Sequence, residues 1–261
     1  MTKEPESNDL PVIQSLWIGE SLSVMEQLCI SSFLSNGHNF HLYTYEEVQN
    51  IPKGTIIKDA NKIIPPDKIF KYKEYDSYAG FANIFRYKLI LEKGHYWVDT
   101  DVICLSPLVI KNDYVFPSSI YRMLDFEGEA KSEVESCIIK APPGSEIMEY
   151  CFSESSIRKP SDLKWGEAGP DLLGIAVEKF GLQHYVVKPY TFCPISSEEW
   201  YKCLDGSFRI AWIEMAKMAI LKTKAVHLWN ELWRREGVNK NYQFPKRCIY
   251  EQLKRRYPKT Q

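Results

Sequence analysis

The run GHYWVDTDVICL, residues 94 to 105, sets Asp99 and Asp101 one residue apart behind an aromatic and β-branched stretch. In an extended chain, residues two apart point to the same side, so a strand ending here aims two carboxylates into one space. No Lys or Arg lies between residues 94 and 110 to offset them. A divalent cation with oxygen ligands, Mg²⁺ or Mn²⁺, answers that charge and keeps waters or substrate phosphates in its other positions. The competing reading is an Asx-type turn that merely ends the strand.

The elements that must position this pair read as an α/β alternation. VIQSLWI, residues 12 to 18, is a short buried strand, and SVMEQLCISSFLSNG is a helix. That helix shows Val24, Leu28 and Ser31 or Ser32 on one face and stops at Asn36-Gly37. NFHLYT alternates as a half-buried strand does, with Phe40 and Leu42 on one side. After the Pro-rich KIIPPDK, the segment SYAGFANIFRYKLILEKG has apolar residues at 78, 81, 82, 85 and 89, the spacing of one helical face. Ser77 can cap this helix and Gly94 can end it in the left-handed conformation, with Asn83 and Arg86 sharing a side. HYWV then reads as a buried strand. In such a sheet, ligands bind in the crevice past the carboxyl ends of the strands, where the two aspartates fall.

Farther along, YVFP, SIYRML and VESCIIKA read as strands, followed by a helix from about Ser145 to Phe152. In WGEAGPDLLGIAVEKFG, Pro170 sits where a helix begins and Gly181 where it ends. HYVVKPYTFCPI reads as strand and loop. In KAVHLWNELWRREG a histidine and tryptophans follow a short apolar entry. No Walker loop, G-x-S-x-G elbow or H-E-x-x-H is present.

Composition narrows the class. The 261 residues are 44% hydrophobic and 26% charged, enough for a substantial core. With 33 Lys and Arg against 34 Asp and Glu there is no global field for a nucleic acid, so any anion site is local. Seven cysteines without a Cys-x-x-Cys read as reduced, buried thiols of a cytosolic protein. No stretch approaches the roughly 20 apolar residues of a membrane helix, and the polar start is unlike a signal peptide, so a cytoplasmic protein is expected. The tail KRCIYEQLKRRYPK is basic. It reads either as a solvated helix or as a peripheral contact with an anionic bilayer at the inner face of the cytoplasmic membrane.

The order LWIG, FANIFRYKLILEKGHYWVDTDV, WGEAGPDLL, AVHLWN resembles the retaining glycosyltransferases whose sugar-binding region carries an Asp-x-Asp motif. These are the α-1,4-glycosyltransferase and capsular polysaccharide type, with the glucosylating clostridial toxins as distant members. The resemblance runs from about residue 11 to 238 and lies in the order of four motifs. The family pattern S-D-x-x-R-Y-x-x-L-x-x-x-G-G-x-Y-x-D-x-D is met at Arg86, Tyr87, Leu89 or Ile90, Gly94, Asp99 and Asp101. Asn83 replaces an aspartate that contacts donor-sugar hydroxyls, His95 the second glycine, and Trp97 the tyrosine. Asn still hydrogen-bonds a hydroxyl but brings no charge.

The resemblance implies an α/β fold of GT-A type, a Rossmann-like mixed central sheet flanked by helices. Residues 1 to 238 would form one catalytic domain and 239 to 261 a basic tail. It implies Mn²⁺ or Mg²⁺ on Asp99, Asp101 and His227, and a nucleotide-sugar donor, UDP-linked, among Trp17, Ile18, Asn83, Arg86, Trp97, Asp99, Thr100, Gly169, Trp229 and Asn230. Trp17 would stack on uracil, against the reading of a core residue. Arg86 would reach the sugar or diphosphate, against that of a helix-surface ion pair. His227 is ligand or structural; Asp171 contacts hydroxyls or simply suits a helix N-terminus. Asp99, Asp101, Arg86 and Asp171 are the expected catalytic set. The implied reaction is hexose transfer to a glycan or glycolipid acceptor in surface polysaccharide or lipooligosaccharide synthesis. The alternatives are an effector-type enzyme acting on a protein, a non-catalytic carbohydrate-binding domain, and a sugar-nucleotide pyrophosphorylase, whose Gly-rich basic loop LPVIQSLWIGE lacks.

Overall fold

A computed structural model describes residues 10–121 and 131–258. Its centre is a five-stranded sheet built from β1 (Ile13–Trp17), β2 (Phe40–Thr44), β3 (Ile56–Asp59), β4 (Tyr96–Val98) and β8 (Ile138–Lys140), in the order β3-β2-β1-β4-β8. The first four are parallel and β8 runs antiparallel to β4. This is the expected α/β class, a Rossmann-like mixed central sheet flanked by helices.

Both faces of the sheet are covered. Ile13, Phe40, Leu42, Tyr96 and Val98 pack with α1 (Val24–Ser35), while Leu16, Tyr43, Trp97 and Ile139 pack with α2 (Ala79–Lys93), α3 (Glu146–Ser156) and α4 (Leu172–Lys179). The half-buried alternation expected for β2 is therefore corrected, because a parallel strand with helices on both faces has no wet side. α1, which packs between the sheet and residues 102–104, is buried nearly all round, from Met25 to Phe33, rather than along the Val24, Leu28 stripe.

The chain runs from β1 out to β2 and β3 on one side, then returns through α2 to place β4 on β1's other side. The crevice past the ends of β1 and β4 is thus the topological switch point. Gly94 ends α2 with φ +65° and ψ −145°, positive as expected but not left-handed helical. A side chain there would meet Pro143 at 2.7 Å. His95 also takes a positive φ, +67°.

Several expected strands are redrawn. Of VESCIIKA, Val134 ends β7 (Lys131–Val134) and only Ile138–Lys140 forms a further strand, β8. YVFP makes only isolated bridges, Val115 to Lys140 and Phe116 to Val186. SIYRML contributes β6 (Ser118–Tyr121), paired with β7, and its residues 122–124 lie outside the described ones. HYVVKPYTFCPI forms two single 3₁₀ turns rather than a strand. β5 (Val102–Cys104) pairs antiparallel with β9 (Ala225–His227). α5 (Phe208–Ile220), α6 (Asn230–Arg235) and α7 (Ile249–Arg256) complete the chain. The division at residue 238 does not appear in the packing: Ile249, Tyr250 and Leu253 of α7 are buried in the same core as Trp233, whose ring lies 5.0 Å from that of Tyr250. No helix among the described residues is long and apolar enough to cross a membrane.

Candidate metal and donor cleft

A cleft of about 650 Å³ opens at the switch point, within the range of pockets that enclose small-molecule ligands. β1 delivers Leu16, Trp17 and Ile18 to it, α2 delivers Asn83 and Arg86, and the end of β4 delivers Trp97, Asp99, Thr100 and Asp101. His227, Trp229 and Asn230 come from the end of β9 and the start of α6.

The two aspartates converge, but not through an extended strand. Val102 N–H bonds back to the Asp99 carbonyl at 3.2 Å, so Asp99 to Val102 is a tight turn joining β4 to β5. The register of β5 on β9 sets Val102 opposite His227, and Leu228 N–H bonds to the Asp101 carbonyl at 3.0 Å. One donor atom each from Asp99, Asp101 and His227 therefore lies within 4.8 Å of the others.

Each carboxylate is held by one oxygen. Asp99 Oδ1 accepts from Arg86 Nη2 and from Trp97 Nε1, both at 2.8 Å. Asp101 Oδ2 accepts from the Asn230 backbone N–H at 2.8 Å and faces His227 Nε2 at 3.3 Å. The other oxygens, Asp99 Oδ2 and Asp101 Oδ1, receive no hydrogen bond from the described residues and remain for a ligand. The charge compensation sought in a cation alone is thus partly supplied from elsewhere in the chain, by Arg86 and His227.

Burial and the neighbouring Asp101 charge raise the Asp99 pKa despite Arg86. Asp101 is also pushed up by burial, but the His227 charge and hydrogen bond and the Asn230 N–H bring it below the ordinary value. For His227, burial favours the neutral ring, yet the Asp101 carboxylate outweighs it and lifts its pKa well above the ordinary value. The carboxylate and the ring thus each favour the other's charged form.

The residues expected at the site are arranged as follows. Arg86 is buried at 4% exposure and occupied by Asp99 and the Ser136 carbonyl, its guanidinium 5.2 Å from the Trp97 ring. It is not a surface ion pair: it lines the cleft and holds Asp99, with its Nε unpartnered among the described residues. Asn83 lies against Gly169, where a Cβ would come within 2.8 Å of the Asn83 amide nitrogen, so glycine is required for that approach. Gly169 is fixed in turn by its carbonyl, which accepts from Tyr87 Oη at 3.0 Å. Trp17 is half-buried, flanking the cleft and packed against the core. Trp229 adopts the left-handed conformation and donates Nε1 to the Ile195 carbonyl at 2.9 Å, aiming its ring beside His227. Asp171 is exposed at the start of α4 and is not among the cleft residues, although its neighbour Pro170 is.

Other cleft residues were not singled out in the sequence. Arg234 and Arg235 share one carboxylate, Glu231, which leaves this wall an excess of positive charge. Arg235 also stacks on Tyr75 and Trp165, 3.7 and 4.3 Å from their ring centroids, tying α6 to the opposite lip. Lys240 pairs with buried Glu26 and lies 5.8 Å from the Trp17 ring. Glu135, Ser136 and Cys137 form the floor. The pair RR in WNELWRREG was a signal for the first two; the others had none, because only folding brings them to the cleft.

No protein-family model matches the sequence, and no curated protein does. Among solved structures the chain is similar to the PaToxG glycosyltransferase, with 13% identity and a TM-score of 0.45 over 97% of this chain and 90% of that one. It is similar to the glycosyltransferase GlyE of Streptococcus pneumoniae TIGR4, with 12% identity and a TM-score of 0.45 over 94% of this chain and 60% of that one. For the bifunctional glycosyltransferase WbbM the values are 11% and 0.44, over 98% of this chain and 53% of that one. Likenesses of this size concern the course of the chain and assign no chemistry to its residues.

Proposed function

We propose that the protein is a metal-dependent retaining glycosyltransferase of GT-A type. It moves a hexose from a UDP-sugar to a glycan or lipid-linked acceptor in surface polysaccharide or lipooligosaccharide synthesis. The observation that carries this reading is the convergence of Asp99, Asp101 and His227 within 4.8 Å in a cleft walled by tryptophans and cations at the sheet's switch point.

Two carboxylates and an imidazole suit Mn²⁺ or Mg²⁺. Asp99, Asp101 and His227 would hold the ion, and when bound it supplies Lewis-acid stabilisation to a departing diphosphate. Arg86 and Trp97 hold the Asp99 carboxylate in its rotamer, and Asn230 does the same for Asp101. Trp17 offers a flat face to a base. The Asn83 amide, which lines the cleft, would hydrogen-bond a sugar hydroxyl, and the excess cationic charge of Arg234 and Arg235 would favour the diphosphate as its charge grows. The aromatic walls exclude water that would hydrolyse the donor. Retention follows from front-face attack, in which the leaving phosphate takes the acceptor proton.

The reading includes a peripheral membrane contact for a cytoplasmic enzyme. α5 exposes Phe208, Trp212 and Ile220, and Phe208 shares a shallow hollow with Lys246, Arg247 and Arg255. Exposed aromatics rimmed by cations suit an anionic interface.

The test is thermal-shift titration with UDP and GDP, with and without Mn²⁺, followed by nucleotide release from UDP-glucose, UDP-galactose, their N-acetyl forms and GDP-mannose. The expected result is stabilisation by UDP with Mn²⁺ and release from one UDP-sugar, both lost in folded Asp101→Asn. Undiminished release by that variant refutes the metal reading, and stabilisation by free sugars without nucleotide indicates a binding domain.

A further inference from the structure

His227 has two ring nitrogens and the cleft uses only one. Nε2 faces Asp101; Nδ1 is buried, with no oxygen or nitrogen partner, and the ring interacts with the Cys137 thiol. Behind the ring lie Cys137 and Cys193, both buried, with their sulfurs 3.8 Å apart. One nitrogen of His227 and these two sulfurs lie within 4.8 Å of one another. With Nε2 engaged, Nδ1 is the nitrogen left for them.

We propose that Cys137, Cys193 and His227 form a second metal site, for a thiophilic divalent ion such as Zn²⁺. The spacing fits: Zn–S bonds of about 2.3 Å at the tetrahedral angle set two sulfurs about 3.8 Å apart. The outer shell fits as well. A zinc-bound histidine characteristically gives its other ring N–H to a carboxylate, which is the position of Asp101. Three backbone hydrogen bonds hold the frame. Asp99 N–H bonds to the Cys137 carbonyl at 2.8 Å, His227 N–H to the Phe192 carbonyl at 3.0 Å, and Cys193 N–H to the Pro189 carbonyl at 2.8 Å. Cys137 also lines the cleft, which gives the ion a way in and leaves its fourth position to water or an anionic ligand. Binding releases the two thiol protons, and the Nδ1 proton of a charged His227 ring, to solvent and forms two sulfur–metal bonds and one nitrogen–metal bond, without any redox change.

The site stands independently of the proposed sugar transfer. Only its consequence rests on that reading: an ion on Nδ1 keeps a proton on Nε2 hydrogen-bonded to Asp101, and so withdraws His227 from the Mn²⁺ set. Thiophilic ions are then antagonists of Mn²⁺ at the neighbouring carboxylates.

The experiment loads the full chain, reduced and metal-free, with Co²⁺ and with Zn²⁺. Expected are the thiolate-to-Co²⁺ charge-transfer band of a tetrahedral ion and, by X-ray absorption on the Zn²⁺ form, two sulfur neighbours. No other such cysteine–histidine group exists among the described residues, so the sulfur signal reports this site. Cys137→Ser and Cys193→Ser should each weaken binding roughly tenfold or more. The absorption measurement on the unaltered protein decides the matter even where a variant fails to fold. Only oxygen and nitrogen neighbours, or a Cys137–Cys193 disulfide in place of metal uptake under reducing conditions, would overturn the proposal. Titrating Mn²⁺ against the Zn²⁺ form then tests the antagonism separately: simultaneous full occupancy removes that consequence while leaving the site.

Discussion

Replacing Arg86 by methionine isolates the role assigned to it. The guanidinium is 4% exposed and the Asp99 side chain 27%, so the substitution strands a mostly buried carboxylate that keeps only the Trp97 N–H. Removing one partner of a buried pair costs roughly 3–5 kcal/mol, and the partial exposure of Asp99 sets the lower end, about 3 kcal/mol. For a chain of this size that corresponds to a fall in Tm of about 6–12 °C. Asp99→Asn alone should cost about 1–2 kcal/mol, because Arg86 keeps the Ser136 carbonyl and a neutral acceptor. With both changes no charge is left unpaired, so the double variant should be more stable than the sum, by a coupling of about 1.5–3 kcal/mol. Urea unfolding of all four proteins measures this. Additivity within about 0.5 kcal/mol would refute the pairing argument. A second measurement separates positioning from diphosphate contact. If Arg86 acts through Asp99, Arg86→Met weakens Mn²⁺ binding in calorimetry without nucleotide; if it contacts diphosphate, Mn²⁺ alone binds as before and only UDP is lost.

Gly169→Ala puts a methyl group 2.8 Å from the Asn83 amide, and overpacking of that kind costs about 1–3 kcal/mol. It should lower Tm and weaken UDP-sugar binding, and an unchanged donor affinity would show that Asn83 does not meet the sugar. Trp212→Ala should reduce flotation with anionic vesicles but not neutral ones, leaving Tm nearly unchanged because the ring is 61% exposed. Equal flotation of both proteins rejects the α5 surface. His38 takes the Leu108 N–H on Nε2 at 3.0 Å and has Nδ1 2.9 Å from the Pro11 carbonyl, which requires the neutral ring, and burial lowers its pKa despite that carbonyl. Below about pH 6.5 the unfolded chain therefore binds a proton that the fold refuses. The stability it contributes above that pH declines as pH falls toward the folded pKa. Melts from about pH 7 to about pH 5 should show a slope that His38→Gln flattens; an equal slope in the variant assigns it to other groups.

The sequence by itself determined the α/β alternation, the strand at HYWV and the helix carrying Asn83 and Arg86 on one side, and it singled out Asp99 and Asp101, which the fold brings to one cleft. Each of these is written in local periodicity or in neighbouring residues. It could not determine that β2 is buried on both faces or that the segment after residue 238 joins the core, since those depend on what packs from a distance. It also misassigned the cause of the carboxylates' convergence: a turn, closed by Val102 and clamped by β9, does what an extended strand was expected to do. The partner of Asp99 lies thirteen residues upstream, and the N–H and imidazole that hold Asp101 come from residues 230 and 227. Side-chain direction within an element follows from backbone geometry and can be read from spacing, but which charges meet is decided by the crossover that brings β1, β4 and β9 to one crevice. Only the tertiary structure decided that.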